Sequence, residues 1–254
     1  MQMNNSVNMM NNSVLETDLA LLRRNAESIV RAIPAGTKLL PVLKCDAYGL
    51  GAAEIARVLE PLEAVVGFAV AHVSEGLALR NAGITKDILV MSSALPWQLS
   101  AAVEANLTLA CGRAGFASEL QAAAEAAGKP AAIHIKIDTG LHRIGFAPEE
   151  LGGLLSELQN APSLRVTGTF SHFSDTSDAA LCAREYAVYL RALDALNVPA
   201  ETVFVLGMGG QTLSRILEEG CGRLHGASLA LGAQTDLPLV RAVTSARCRR
   251  GGAS

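Results

Sequence analysis

The chain has 254 residues, of which 50% are hydrophobic and only 4% aromatic, and its formal net charge is −3. This length is typical of one large domain, and single α/β barrels commonly reach it. Basic and acidic residues are mixed along the chain, without the basic stripe that nucleic-acid binding needs. The one dense basic run, Arg247-Cys248-Arg249-Arg250, is interpreted as a frayed end.

The N-terminus and the cysteines give no sign of export or membrane insertion. Residues 1–13 are rich in Asn and Met and lack the charged start and apolar stretch of a signal peptide, so we expect a disordered segment there. No apolar run approaches the roughly 18 residues that a membrane helix needs. The five cysteines are widely spaced and odd in number, which favours a reducing cytoplasm over a disulfide framework.

Apolar, strand-like runs alternate with helical patterns after residue 13. Most of the eight candidate strands are short apolar runs, as expected for parallel strands covered on both faces. The eight are Lys38–Leu43, Ala64–Ala69, Asp87–Met91, Leu107–Cys111, Ala131–Ile137, Arg165–Ser171, Thr202–Leu206 and Leu224–Leu231. The last run has the weakest strand pattern. Helical spacing fills the intervening segments: a stripe from Leu19 to Ile33, Glu75–Ala82 with Ser74 as N-cap and Gly83 as stop, Ala114–Ala127, Asp178–Asn197 and Gln211–Glu219.

Strand–helix units of about 25 residues that repeat eight times predict an α/β fold, a (β/α)8 TIM-type barrel over residues 14–235, rather than an open doubly wound sheet. The chemistry of such barrels gathers at the carboxyl ends of the strands. The residues that follow each apolar run are therefore the first candidates for a site.

A lysine closes the first apolar run, within the segment 42–51, Val-Leu-Lys-Cys-Asp-Ala-Tyr-Gly-Leu-Gly. Burial of an ammonium group is costly unless the group is paired or chemically used. At a barrel mouth, a desolvated amine has a lowered pKa and becomes nucleophilic toward carbonyls. The plainer alternative is a lysine whose ammonium reaches solvent at the rim. The Tyr-Gly-x-Gly that follows favours chemistry, because a hydroxyl donor and a flexible backbone suit a bound phosphate.

This segment resembles the signature of the alanine racemase family, a strand that ends in Lys-x-Asp-Ala-Tyr-Gly-x-Gly. The resemblance implies that Lys44 is catalytic and holds pyridoxal 5′-phosphate (PLP) as a Schiff base, while Tyr48 hydrogen-bonds the cofactor phosphate. It also implies a PLP-dependent racemase that interconverts L- and D-alanine.

A second segment, residues 134–146, reads His-Ile-Lys-Ile-Asp-Thr-Gly-Leu-His-Arg-Ile-Gly-Phe and is similar to the family's Lys-x-Asp-Thr-Gly-Met-x-Arg-x-Gly. The resemblance places Arg143 beside the phenolic oxygen of the cofactor and the carboxylate of the substrate, and we assign Leu141 to substrate binding as well. Lys136 takes the place of a lysine that some members carry as a carbamate, which orients the arginine. The alternative for Arg143 is a surface loop residue.

A third segment, Gly168–Phe173, looks like the Ser-His-Phe of the family and places His172 near the PLP ring. The residues around Leu15–Leu19 also resemble the beginning of the family's barrel domain. The resemblance therefore runs from about residue 13 to about residue 178.

The resemblance weakens after Asp178. Where the family has Asn-Ser after the seventh strand, this chain has Leu-Gly-Met-Gly-Gly-Gln-Thr, residues 206–212, and we assign Gly209 and Gly210 to the cofactor phosphate. That Gly-Met-Gly is closer to the single-domain PLP-homeostasis barrels. The family's Arg-x-Gly, whose arginine faces the pyridine nitrogen, corresponds to residues 222–226. Arg223 or His225 could take that place; we favour Arg223, with Gly226 also at the cofactor.

Alanine racemases continue into a β-rich second domain that supplies a second catalytic base, a tyrosine, to the partner subunit. Residues 236–254 resemble only the approach to that domain, and none of the three tyrosines of this chain is a convincing second base. Three interpretations remain: a racemase acting on alanine or serine and homodimeric in its full-length form, a single-domain PLP-binding protein without racemase activity, and a barrel that has lost PLP. We favour the first, and expect no metal, nucleic acid or membrane partner.

Overall fold

A computed structural model describes residues 13–32, 38–175, 178–196, 203–207, 228–231 and 247–250. Only the main chain is described at residues 13–16, 32, 203–207, 228–231 and 247–250. The strands are β1 (Ser13–Glu16), β2 (Lys38–Leu39), β3 (Gly67–Val70), β4 (Asp87–Val90), β5 (Thr108–Cys111), β6 (Ala131–Lys136), β7 (Leu164–His172), β8 (Val203–Gly207), β9 (Ser228–Leu231) and β10 (Arg247–Arg250). The helices are α1 (Leu19–Ala32), α2 (Lys44–Gly49), α3 (Ala52–Leu59), α4 (Val73–Asn81), α5 (Leu99–Glu104), α6 (Phe116–Ala127), α7 (Leu151–Gln159) and α8 (Ala179–Leu196).

Strands β2 to β9 form one parallel sheet that closes on itself. The neighbours run in the order β2-β9-β8-β7-β6-β5-β4-β3, and each pair is parallel. The chain just after β2 completes the ring beside β3, where the Leu43 N–H donates to the Ala69 carbonyl and the Ala69 N–H to the Pro41 carbonyl, at 2.7 and 2.8 Å. The closed ring is the predicted (β/α)8 barrel.

Each of the eight predicted strands contains or overlaps a strand of the barrel. The first is the most reduced, because Pro41 has no N–H to donate to the sheet and regular pairing ends at Leu39. The weakest pattern, Leu224–Leu231, contains β9. Of the helices, α6 ends before Gly128, as predicted, whereas the segment Gln211–Glu219 lies outside the described residues.

Two local interpretations were wrong. Helix α4 begins at Val73, so Ser74 lies inside it and is not its N-cap; the Glu75 carboxylate accepts the free N–H groups of Ala71 and His72 instead, at 2.7 and 3.0 Å. The basic run Arg247–Arg250 is not frayed but forms β10, antiparallel to β1. Strand β1 begins at residue 13, and residues 1–12, the rest of the expected disordered segment, lie outside the described residues.

Side chains alternate along the strands between the barrel interior and the helix layer. The interior holds a small apolar cluster, Leu40, Ala69, Leu89, Ala110 and Phe170, and a much larger cluster fills the space between strands and helices. His134 is the register partner of Ala110, and Lys136 that of Phe170, so both share the interior face. No helix in the described part of the chain is long and apolar enough to cross a membrane.

Candidate active site

Lys44 lies at the carboxyl edge of the barrel and opens a left-handed turn. The four residues after it, Cys45 to Tyr48, have φ between 52 and 59°. A left-handed helical conformation costs roughly 1–2 kcal/mol for each L-residue, so it persists only where the surroundings fix it. The turn brings the Tyr48 ring back toward Lys44, whose Nζ lies 5.8 Å from the ring centroid.

Hydrogen bonds at both ends hold this turn. Glu75 Oε1 accepts the N–H of Cys45 at 2.7 Å, from the helix that follows β3. Asp46 Oδ1 accepts the N–H of Ala52 at 2.8 Å, which ties the turn to the first residue of α3. Ala47, in the middle of the turn, is buried in the core. The Asp and Ala of the motif therefore shape the turn that places Lys44 and Tyr48.

Lys136 ends β6 inside the barrel and is only 3% exposed. Its Nζ donates to the Ile137 carbonyl at 3.0 Å and lies 5.3 Å from the centroid of the Phe170 ring. Burial is the main cause that lowers the pKa of Lys136 to about 8; the positive charge of Arg143 acts in the same direction, while the carboxylates of Asp138 and Glu185 oppose the shift. A minor fraction of Lys136 is therefore a neutral amine near physiological pH.

Arg143 and Leu141 lie on a loop that closes directly above Lys136. The Phe146 N–H donates to the Lys136 carbonyl and the Asp138 N–H to the Phe146 carbonyl, both at 2.9 Å. The two ends of the loop are therefore hydrogen-bonded to each other next to Lys136. Asp138 Oδ1 accepts the N–H groups of Gly140 and His142, at 3.0 and 3.1 Å. Arg143 is exposed on this loop and Leu141 is half-buried. Asp138 thus organises the loop that presents both.

His172 ends β7, two residues after Phe170, and so faces the barrel interior. Burial, together with the positive charges of Arg143, Lys136 and Lys44, lowers the pKa of His172 to about 4. The imidazole is therefore neutral at physiological pH. Lys44 follows β2, and Lys136 and His172 end β6 and β7. With Arg143 on the loop after β6, all four residues lie at the carboxyl edge of the closed barrel.

A family model described as alanine racemase, N-terminal domain, matches residues 17–220. The chain belongs to this family. It is 38% identical over 175 residues to the alanine racemase of Geobacter sulfurreducens, a match that covers 69% of this chain and 46% of that protein. It is 34% identical over 185 residues to that of Desulfovibrio desulfuricans, covering 72% and 49%. The chain spans about half the length of the curated relatives it matches.

Solved alanine racemase structures share the barrel. The enzyme of Clostridium difficile 630 in complex with cycloserine superimposes with a TM-score of 0.78 and 26% identity, over 91% of this chain and 62% of that one. The Bacillus anthracis enzyme with bound L-Ala-P gives 0.73 and 27%, over 88% and 57%. The cofactor of the alanine racemase family is PLP, as the resemblance implies.

The described residues fit PLP in their chemistry. Lys44 offers a half-buried amine, and Tyr48, on the adjoining turn, offers a hydroxyl donor. Arg143, on the loop after β6, adds a guanidinium, whose positive charge suits an anionic cofactor. The other predicted contacts, Gly209, Gly210, Arg223 (or His225) and Gly226, lie outside the described residues. Within the described part of the chain, no group of three His, Cys, Asp or Glu side chains could hold a metal.

Sequence reasoning missed the roles of four acidic residues that shape the site. Asp46 and Asp138 lie within the two motifs, whereas Glu75 and Glu185 lie in helices and carry no local signal of a role in the site. The one available signal is the Asp of the second motif, since an Asp side chain in a loop typically accepts the main-chain N–H two residues on, here that of Gly140. The partners of Glu75 and Glu185 are distant in sequence, so no local pattern marks them.

Proposed function

We propose that this chain is the PLP-binding barrel of an alanine-racemase-type enzyme that interconverts L- and D-alanine and so serves D-alanine biosynthesis, with Lys44 as the catalytic residue. The observation that carries the proposal is the position of Lys44, at the carboxyl edge of the barrel that also carries Tyr48, Arg143 and His172. When bound, the cofactor supplies an electron sink for the α-carbon of an amino acid.

Each residue of the mouth has a part in this proposal. Lys44 would hold the cofactor through Nζ, and the same amine would move the α-proton of the substrate. Tyr48 donates to the phosphate, with the N–H groups of Gly209 and Gly210. Arg143 binds the carboxylate of the substrate, since a planar guanidinium can donate two parallel hydrogen bonds to a carboxylate. Leu141 contacts the substrate from the same loop. His172, neutral at physiological pH, borders the cofactor ring, and Arg223 faces its pyridine nitrogen near Gly226.

We also propose that Lys136 is carbamylated. The neutral Nζ attacks carbon dioxide, forms an N–C bond and loses a proton, so that a buried cation becomes an anion able to pair with Arg143. The pKa of about 8 supports this, because it leaves free amine available near neutral pH. Carbon-13 NMR of protein equilibrated with labelled bicarbonate should show a carbamate signal that Lys136→Met abolishes. A signal that survives this substitution would place the carbamate elsewhere.

Borohydride reduction followed by peptide mapping tests the role of Lys44. PLP added to the purified chain should be trapped on Lys44, and Lys44→Ala should abolish the trapped group, with Lys129→Ala as the matched control. A label on another lysine, or none on the wild-type chain, contradicts the proposal. A trapped cofactor without any D-alanine formed by the full-length protein would instead favour the alternative, a PLP-binding protein without racemase activity.

The cysteine pattern of this chain supports a cytoplasmic location, and we propose that the enzyme acts as a homodimer. Serine is the alternative substrate, and a chiral assay with both amino acids distinguishes the two.

A further inference from the structure

Two charged side chains are buried among the described Asp, Glu, Lys and Arg residues: Lys136 and Glu185, each 3% exposed. Lys136 faces the barrel interior, whereas Glu185 lies on α8, on the helix side of the barrel wall. A carboxylate is almost never buried this deeply without partners that stabilise its charge. None of the roles proposed above uses Glu185.

The partners of Glu185 lie on both loops that carry the site. Its Oε2 accepts the N–H of Ser174 at 3.0 Å, and its Oε1 accepts the hydroxyl of the same serine. On the other side it abuts Gly140, where an added Cβ would stand 2.8 Å from Oε1. Ser174 comes two residues after His172, and Gly140 three residues before Arg143. One carboxylate therefore contacts the loop after β7 and the loop after β6.

A second contact joins the same two strand ends. The hydroxyls of Thr139 and Ser171, both buried, are 2.8 Å apart. Thr139, Ser171, His172 and Glu185 also line one small pocket between α8 and the barrel wall. Contacts on the helix side of the barrel wall thus fix the relative position of the two loops, and Glu185 is the one charged residue among them.

We propose that Glu185 is a positioning residue, whose buried carboxylate fixes the Arg143 loop relative to His172 and thereby sets the affinity of the mouth for PLP. The claim about PLP affinity rests on the proposed function. The claim that Glu185 fixes the Arg143 loop relative to His172 concerns the protein without its cofactor, so the two claims can be tested separately.

Hydrogen exchange of the cofactor-free protein tests the first half. In Glu185→Ala we expect faster amide exchange in residues 139–146 and 172–175, since both loops lose their shared anchor. Asp194→Ala removes an exposed carboxylate from the same helix and should leave both segments unchanged. If Glu185→Ala does not fold, Glu185→Gln serves in its place, with the faster exchange confined to the Ser174 amide. Unchanged exchange, or faster exchange spread evenly over the chain, would overturn the proposal.

A PLP titration followed by absorbance tests the second half. Glu185→Ala should weaken PLP binding about tenfold, the size expected for lost charge-assisted hydrogen bonds. Glu185→Gln should restore most of the affinity, because the amide oxygen can accept the Ser174 N–H while the amide N–H donates to the hydroxyl. Ser174→Ala combined with Glu185→Ala should weaken binding by less than the product of the single effects.

The outcomes separate the two proposals. A wild-type chain that binds no PLP refutes the proposed function, and hydrogen exchange still decides the structural role of Glu185. A wild-type chain that binds PLP no better than Glu185→Ala refutes the positioning role alone. If Glu185→Gln binds PLP as weakly as Glu185→Ala does, the positioning role is also refuted, since the charge of Glu185 rather than the geometry of its contacts would then govern binding.

Discussion

Glu75 accepts the main-chain N–H of Cys45 at 2.7 Å and thereby ties the residue next to Lys44 to the start of α4. The same carboxylate accepts the N–H groups of Ala71 and His72. One side chain thus stabilises a helix start and a left-handed turn. The turn is unfavourable by itself because four consecutive residues have positive φ angles. The position of Lys44 therefore depends on Glu75, which lies 30 residues away from Cys45 in sequence.

Glu75→Ala should destabilise the protein and weaken PLP binding together. Three N–H groups lose a charged acceptor, and we expect a loss of about 2–3 kcal/mol in the free energy of unfolding, measured with urea. Glu54→Ala is the control, because Glu54 forms only an exposed ion pair with Arg57 and should cost less than about 1 kcal/mol. Equal losses in the two variants would show that Glu75 does not hold the turn.

Arg143→Ala should weaken PLP affinity or activity more than Arg165→Ala. Arg143 lies on the loop that Asp138 closes at the carboxyl end of the barrel, whereas Arg165 is exposed near the amino end of β7. The carboxyl end of a barrel carries its site and the amino end its stability. Parallel PLP titrations measure the difference, for which we expect about ten- to a hundredfold at Arg143 and little at Arg165. Equal effects would contradict the assignment of the mouth.

The sequence alone predicted the barrel, because most strands are short, largely apolar runs with a local signal, down to the weak run that contains β9. It also predicted that Lys44, Lys136, Arg143 and His172 share one mouth, since parallel strands place their carboxyl ends together. Family resemblance supplied the residue roles, which local chemistry could not.

The contacts that hold these residues could not be predicted in the same way. The bond from Glu75 to Cys45 and the bonds from Ser174 to Glu185 join elements that only the closed barrel brings together. The N-cap of α4 was wrong for a related reason. Ser74 has the right chemistry for an N-cap, but Glu75 reaches back to the free N–H groups, and the helix begins one residue earlier.

Lys136 should make the stability of the cofactor-free protein depend on pH. Its pKa is about 8 in the native state, against an ordinary value of 10.5, so the unfolded chain binds more protons between these values. The free energy of unfolding should therefore rise as pH increases from about 8 to about 10.5, and the penalty of burying the ammonium is fully present below about pH 8.

Lys136→Met should remove that penalty, raise the free energy of unfolding at about pH 7 by up to about 3 kcal/mol, and abolish this contribution to the slope. Urea unfolding in buffer free of carbon dioxide measures both effects. Lys129→Met, which removes a lysine that donates to the Glu104 carbonyl near the amino end of the barrel, should keep the wild-type slope. A slope that persists in Lys136→Met would assign it to another group.

The 254 residues, assayed alone, should exchange the α-hydrogen of alanine for deuterium faster than they invert the stereocentre. Lys44 can remove and return a proton on its own face, which preserves configuration, whereas inversion requires an acid on the opposite face. Of the tyrosines, Tyr48 is assigned to the phosphate, while Tyr186 and Tyr189 are buried on α8, the latter with its hydroxyl 2.7 Å from that of Thr169.

A positioned acid typically contributes about 10²–10⁴-fold in rate, and none of the three tyrosines is placed to act as one, so exchange and inversion should separate by a measurable margin. Proton NMR in deuterium oxide follows the exchange, and a chiral assay for D-alanine follows the inversion in the same sample. Lys44→Ala should abolish both and serves as the control. Inversion as fast as exchange would reveal an acid on the opposite face, and His172→Ala would then be the first variant to measure, because that imidazole lies in the same mouth as Lys44.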